Sequence, residues 1–535
     1  MQGSWYSIIE TPKGRLKLQF RIRTEPTAAI DAVIESLPIP MRFTAVKKVG
    51  ESSLHGEGRV FWSEEALWIR LDFCQDTFTG QIHIPGFATL ALEGARGRGP
   101  NMAEHLIEEI SARRKETVPR RSEAKMAEAV EKLLGQMSLQ DKIGQLMQCQ
   151  ASHFAFGGDI ESEPPEKLIA EGRAGSVLGA FDAAKVYELQ KIAVEQSPLG
   201  IPLLFHNDII HGAQTIFPIP LAWSCSWDLE AIREVNAIAA KEANVSGITV
   251  NHGPMVDVSR DPRWGRVAEG AGEDPYLASL IAKAQVEGFQ GDTLLAVGTL
   301  AACLKHFIGY GAVEGGRDYN TVDISEAALR NVHLPPFQAG LEADAALVMN
   351  SFNIYQGVPV AANKALLRDL LRDELGFRGV VISDYGSIEE IQVHGNAEDV
   401  RDAAEKSLKA GIDMEMVSRS YDRLAELVTE GRIPEELIDE AARRVLHLKF
   451  KLGIMDDPFR YILPDREEEY HFHPKHLKAS LDLARKSCVL LKNSGVLPLR
   501  DPSQKIALIG PFADSKDLLG PWQFSRYGHE TVTLY

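Results

Sequence analysis

Six short stretches of this 535-residue chain gather side chains able to do acid–base and hydroxyl chemistry. They are His206-Asn207-Asp208, Asp257 through Arg266, Lys305-His306-Phe307, Gly315 through Asn320, Met349-Asn350-Ser351-Phe352-Asn353, and Ser383-Asp384-Tyr385-Gly386. Carboxylates, cations, amides and aromatic rings recur in them, and no GxxxxGK[ST] phosphate cradle appears. That composition suits a neutral polyhydroxylated ligand, because each sugar hydroxyl both donates and accepts a hydrogen bond. In the last stretch the unbroken run Val380-Val381-Ile382 reads as a strand buried on both faces, ending in Ser383 and Asp384. A carboxylate just past the C-terminal end of a parallel strand stands where α/β barrels build active sites. Local sequence alone favours a plainer reading, with Asp384 capping the next helix.

The elements that must position these stretches are legible as alternating apolar runs and longer helical segments. Strands are expected at Gly175–Phe181, Ile201–Phe205, Gly247–Asn251, Ala302–Phe307, Ala346–Phe352, Gly379–Ser383 and Gly411–Met416. Such alternation implies parallel strands with helical crossovers, and seven of them favour a TIM-like (β/α) barrel, complete or lacking a strand, over an open sheet. Ser138 with Asp141 three positions on has the form of a helix N-terminus ahead of Ile143, Leu146 and Met147. The barrel is expected over residues 126–462. Before it, residues 1–95 read as a small all-β barrel-like module: Leu16, Leu18, Phe20 and Ile22 alternate with charged and polar neighbours. Trp5, Trp62 and Trp68 are read as filling its core rather than as a sugar platform. Residues 96–125, with Arg113-Arg114-Lys115 and Arg120-Arg121, read as a charged linker. From 475 a helix near Leu477–Lys492 and a strand at Lys505–Ile509 read as the start of an α/β sandwich.

Several function classes are excluded or disfavoured. A formal net charge of −17 argues against a nucleic-acid partner, which would demand a basic surface. No apolar run is long enough to span a membrane, and the N-terminus lacks a signal-peptide pattern, so the chain as written reads as cytoplasmic, or periplasmic or secreted if a leader was removed. The five cysteines (Cys74, Cys149, Cys225, Cys303, Cys488) are scattered and read as reduced thiols. His471-Phe472-His473 lacks a third ligand, so no metal is expected, and no cofactor is called for.

Arg260 to Glu269, Lys305-His306-Phe307, Gly315 to Asn320 and Ser383-Asp384 resemble the signatures of glycoside hydrolase family 3, over about Met126 to the C-terminus. Within that family the chain is similar to bacterial β-glucosidases. The resemblance implies a retaining exo-β-glycosidase acting on β-linked oligosaccharides or aryl and alkyl β-glucosides, with Asp384 as nucleophile. It also implies that Asp208 holds the distal hydroxyls while Arg266, Lys305 and His306 hold others, with Phe352 and Tyr385 as aromatic walls. Arg260, Asp261 and Arg263 are left outside the site as a candidate ion-pair cluster. His252 is open between packing and pocket.

Two departures stand out. Tyr385 occupies the place of the family's usual Trp, which shrinks the stacking surface and adds a hydroxyl. The C-terminal α/β domain, from which the family's glucosidases usually take their acid/base glutamate, reads as truncated. In the Glu314–Asn320 loop, the Asp-x-His acid of the family's single-domain N-acetylglucosaminidases is missing. No acid/base is therefore assigned, and a homodimer or a partner chain supplying that domain is an open expectation. β-Xylosidase activity and an inactive sugar-binding fragment are the alternatives.

Overall fold

The computed structural model describes residues 3–534 apart from 12–13, 24–28, 35–36, 50–52, 61–62, 75–76, 85–87, 97–102, 116, 152–162, 502, 504, 524–530 and 532. The chain divides into two compact units, Met1–Glu109 and Ile110–Tyr535. The first is an up-and-down barrel of eight antiparallel strands, from Gly3–Thr11 to Ala88–Arg96. Each strand pairs with the next, and the first closes on the last through Trp5↔Arg96 and Ser7↔Gly94. Ile69, Leu71, Ile82 and Leu92 are buried while Arg70, Asp72 and Gln81 are exposed, so the pleat turns its apolar face inward. Trp68 breaks the expectation that tryptophans fill this core. It is half-buried on the outward parity, stacked 5.7 Å from its cross-strand partner His83 and beneath the Arg70 guanidinium at 4.9 Å. An indole can cover a sheet's outer face by such pairing without entering the interior. The side chains of Trp5 and Trp62 lie outside the described residues.

The second unit is a parallel barrel of eight strands, one more than the apolar runs suggested. In chain order they are Met147–Gln150, Ser176–Leu178, Leu204–Asn207, Val250–Asn251, Ala301–Phe307, Leu347–Asn350, Val380–Ile382 and Glu415–Met416. All neighbours pair in parallel, the eighth pairs with the first, and a bridge from Ile382 to Met414 ties the seventh to the chain entering the eighth. The first strand escaped notice because its apolar residues run on from those of the preceding helix, Leu139–Gln145, whose Ser138–Asp141 capping box is formed. Crossover helices begin on aspartates: Asp182, Asp228, Asp274 and Asp399 each accept from the backbone N–H three residues on, at 2.7, 3.0, 2.7 and 2.8 Å.

After the barrel, a helix spans Pro474–Lys486, and its His476 bonds Glu242 Oε1 at 2.9 Å. The strand expected at Lys505–Ile509 does not form. A single extended segment with no neighbouring strand has nowhere to place its backbone hydrogen bonds. His471 and His473 have structural partners, the Glu242 carbonyl and the Lys475 N–H. Among the described residues, no helix is long and apolar enough to cross a membrane.

Candidate active site

The C-terminal ends of the third to seventh strands bring together Asp208, Asp257, Arg266, Lys305, His306 and Asp384. Asp384 does not cap the next helix. That helix, Ser387–Val393, has Gly386 at its N-cap in the left-handed conformation (φ 67°), so a glycine makes the turn and the aspartate is released from it. Asp384 Oδ1 accepts from the Tyr385 N–H at 2.7 Å. Its buried Oδ2 has no hydrogen-bond partner among the described residues and lies 3.5 Å from His306 Nε2. A buried carboxylate oxygen left unpaired is costly unless a ligand or reaction uses it.

Around it the hydrogen bonds fix each neighbour. Lys305 Nζ donates to Asp208 Oδ1 at 2.5 Å. Arg266 grips Glu269 with two bonds of 2.8 and 3.0 Å and sends Nη2 to His306 Nε2 at 2.9 Å. His306 Nδ1 meets Asp257 Oδ2 at 2.8 Å. Burial first, then Arg266 and Lys305, hold the His306 imidazole well below its usual pKa. A neutral ring that accepts from Arg266 on Nε2 must donate from Nδ1 to Asp257, so His306 keeps Nε2 bare beside Asp384.

The carboxyls are driven apart by their surroundings. Burial would raise Asp208, but Lys305 and then His252 outweigh it and hold this carboxyl well below the usual range. Burial pushes Asp384 up to about 6, with Arg266 and Lys305 opposing the rise. Asp257 is pushed up to about 7 by burial, against the His306 N–H. Glu390, on the helix that follows Asp384, is pushed up to about 7 by burial and then by the charges of Asp384 and Asp318. Its Oε2 is buried with no hydrogen-bond partner among the described residues.

The walls are aromatic. Tyr385 is half-buried and its hydroxyl donates to Gln150 Oε1 at 3.3 Å. Phe352 is buried behind Tyr319, whose ring stands 4.6 Å from it and is itself exposed. The loop carrying Tyr319 is pressed onto the Arg263–Trp264 backbone at Gly316 (φ 67°), where a Cβ would come 2.6 Å from Trp264 N. That approach lets Trp264 Nε1 donate to Asp318 Oδ1 at 2.9 Å. Trp522 contributes from far along the chain. Its ring centroid lies 5.3 Å from Lys305 Nζ and 5.9 Å from the Arg266 guanidinium carbon. The preceding carbonyl, Pro521 O, is held by His211 Nε2 at 2.5 Å.

The ring therefore unites the sequence candidates Asp208, Arg266, Lys305, His306, Tyr385 and Asp384, with Phe352 one layer behind. Asp261 and Arg263 form an ion pair of 2.7 Å, with Arg263 exposed. Sequence reasoning missed Glu390, Trp522 and the position of His252, which lies 3.5 Å from Asp208 Oδ2. Glu390 belongs to no local motif, and Gly520-Pro521-Trp522 carries no signal beyond a turn with an aromatic residue.

A parallel barrel whose strand ends surround an unpaired buried carboxylate with cations has the form of an α/β-barrel enzyme site. The comparisons with known proteins go further. The glycosyl hydrolase family 3 N terminal domain matches residues 138–448. A periplasmic beta-glucosidase of Salmonella typhimurium is 39% identical over 408 residues, 75% of this chain and 52% of its own. A putative beta-xylosidase of Formosa agariphila is 35% identical over 423 residues, 73% of this chain and 54% of its own. The crystal structure of a beta-glucosidase from Listeria innocua in complex with isofagomine is similar with a TM-score of 0.71 at 42% identity, covering 74% of this chain and 56% of that one. The chain belongs to glycosyl hydrolase family 3. It spans about half the length of the curated relatives it matches.

Proposed function

We propose that the chain is a retaining exo-β-glycosidase that removes terminal non-reducing β-D-glucosyl residues through a covalent glycosyl-enzyme on Asp384. The observation that carries this reading is the unpaired, buried Oδ2 of Asp384 among Arg266, Lys305 and His306. With its carboxyl near 6, Asp384 is mostly ionised at neutral pH and still basic enough to attack an anomeric carbon. As its oxygen bonds to that carbon, the glycosidic C–O bond breaks and the leaving oxygen takes a proton. Glu390, near 7, is a carboxyl that is about half protonated at neutral pH, and we assign it the donor's role. In the second step the same carboxylate takes a proton from water, the hydroxide attacks the anomeric carbon and Asp384 departs. Asp208, Arg266, Lys305 and His306 hold the sugar's hydroxyls, contributing to rate insofar as they tighten towards the oxocarbenium-like transition state. Tyr385 and Trp522 wall the leaving-group side, with Tyr319 presenting the face that Phe352 backs.

The β-xylosidases among the relatives support a second reading, in which a pentose is the preferred substrate. The test is hydrolysis of 2,4-dinitrophenyl β-glucoside, the matching β-xyloside and cellobiose by this chain and by Asp384→Ala. Turnover of glucoside and cellobiose, abolished in Asp384→Ala, is expected. Faster turnover of the xyloside would transfer the assignment to the second reading. Turnover of the aryl substrates without cellobiose would remove the acid role from Glu390, and no turnover at all would defeat the enzymatic reading of this chain.

A further inference from the structure

His206, on the third strand, and His252, immediately after the neighbouring fourth strand, are both buried, and neither is required by the reaction as written above. His206 Nδ1 lies 2.9 Å from His252 Nε2, with the rings edge to face at 5.0 Å. His252 Nδ1 faces Asp208 Oδ2 across 3.5 Å, an electrostatic contact longer than a formed hydrogen bond, while the other oxygen, Oδ1, takes Lys305. His206 Nε2 is buried with no partner among the described residues.

These contacts leave one inexpensive arrangement of protons. The 2.9 Å contact needs a single hydrogen between the two rings. If it sat on His252 Nε2, the neutral His252 would turn a bare Nδ1 lone pair towards the Asp208 carboxylate. His206 would then carry its proton on the partnerless Nε2, an orphan buried donor. If His252 were an imidazolium, the same orphan donor on His206 would remain. With the hydrogen on His206 Nδ1, both faults vanish: His206 donates to His252 Nε2, the His252 Nδ1–H turns its positive end to the Asp208 carboxylate across 3.5 Å, and His206 Nε2 is left as a bare nitrogen rather than an orphan donor. Burial keeps the His206 ring neutral, holding it well below its usual pKa. The backbone around Asp208 is anchored as well, since Asn251 accepts from the Ile209 N–H at 2.7 Å and donates to its carbonyl at 3.0 Å.

We propose that His206 and His252 form a buried two-imidazole relay that positions Asp208 to accept from the distal hydroxyls of the bound sugar. They are positioning residues: neither touches the reacting atoms, and both act through one carboxylate, whose Oδ1 Lys305 holds and whose Oδ2 His252 faces. The inference rests on the reading of Asp208 as a sugar-holding group.

The experiment measures kcat/KM on 4-nitrophenyl β-glucoside and on its 4-deoxy and 6-deoxy analogues, for the unmodified chain, His252→Phe, His206→Phe and His206→Asn. The unmodified chain should lose rate on at least one analogue, the one whose missing hydroxyl Asp208 would bind. Both Phe variants should fall about 10- to 100-fold on the glucoside, in the manner of groups that orient a binding residue, but less than about threefold on that analogue. His206→Asn, whose amide nitrogen can stand where Nδ1 stood, should recover most of the rate. Equal losses on all substrates would show a packing role and overturn the relay. An unmodified chain indifferent to both deletions would overturn the reading of Asp208 itself. Should the Phe variants not fold, ¹⁵N spectra of the histidine-labelled unmodified chain decide the matter: both rings must be protonated on Nδ1 alone, and an Nε2–H tautomer in either one defeats the proposal.

Discussion

At the scale of residues, the site works by separating carboxyls of the same chemistry. Asp208 is kept ionised by Lys305 and His252, whereas Asp384 and Glu390 are raised into the range where protons are exchanged near neutrality. The sign of each effect follows. In the proposed mechanism Asp384 must be deprotonated to attack, so activity should be lost as pH falls through about 6. In the same proposal Glu390 must be protonated to donate, so activity should be lost as pH rises through about 7. A narrow bell in kcat/KM results, whose limbs belong to the coupled pair rather than to either residue alone. Glu390→Gln should abolish the basic limb and reduce kcat/KM for cellobiose by about 10²–10⁴-fold, with a far smaller loss on 2,4-dinitrophenyl β-glucoside. Added azide should then accelerate the aryl reaction and yield the β-glucosyl azide, because a small anion needs no general base to attack the intermediate. A basic limb that survives in Glu390→Gln would assign the proton to another group.

At the scale of elements, the fold was legible where one strand carries its own chemistry and illegible where chemistry arises between strands. Val380-Val381-Ile382 followed by Asp384, and the strand ending in Lys305-His306, announce themselves as buried runs with polar termini. His252 could not be assigned from sequence, because its meaning lies in a ring contact with His206, 46 positions away. Glu390 stayed hidden for a similar reason: it is perturbed first by burial, which only the packed fold creates, and then by charges on the preceding strand end and the Asp318 loop. The first strand was masked by a helix whose apolar residues continue into it. Loop geometry was partly visible as glycine, and one pair of substitutions separates its two causes. Gly316 and Gly357 both have positive φ (67° and 80°), but a Cβ at Gly316 would meet the Trp264 backbone at 2.6 Å while one at Gly357 would meet nothing within 4 Å. Gly357→Ala should cost only the backbone penalty, ~1 kcal/mol, with kcat/KM unchanged. Gly316→Ala should cost more, about 2–4 kcal/mol, and should lower kcat/KM as Asp318 and Tyr319 shift. Thermal unfolding and aryl-glucoside kinetics on the two variants check this, and equal behaviour would deny the close approach any role in shaping the site.

At the scale of the whole parallel barrel, the two ends carry opposite liabilities. The C-terminal end buries carboxyls for chemistry, and the N-terminal end buries cations for closure. There Arg372 and Arg444 both reach Asp413, which also accepts from the Val381 N–H at 2.8 Å, so those charges are paired. Lys449 is different. Fully buried on the helix Glu435–Lys451, it donates to Gln145 Oε1 at 2.6 Å and to the Gly175 carbonyl at 2.9 Å, neutral acceptors lying just before the first two strands. Hydrogen bonds of this kind satisfy an ammonium without cancelling its charge, and burial drives Lys449 down to about 7 from 10.5. A lysine depressed in the folded state binds fewer protons there than in the unfolded chain between those two values, so its contribution to stability rises with pH across that window. Below about 7 the lysine is charged in both states, and the cost of burying that charge is present in full and constant. Lys449→Met removes this titration while keeping most of the volume. The stability of the unmodified chain relative to the variant should therefore be flat from pH 5.5 to 6.5 and climb by up to ~1.4 kcal/mol per unit from pH 7.5 to 9. Urea unfolding of both proteins followed by tryptophan fluorescence reads the difference directly, with every titration they share cancelling. Parallel profiles across the whole range would mean that Lys449 keeps its proton through the window, and that Gln145 and Gly175 solvate an ammonium at the barrel floor as well as water does.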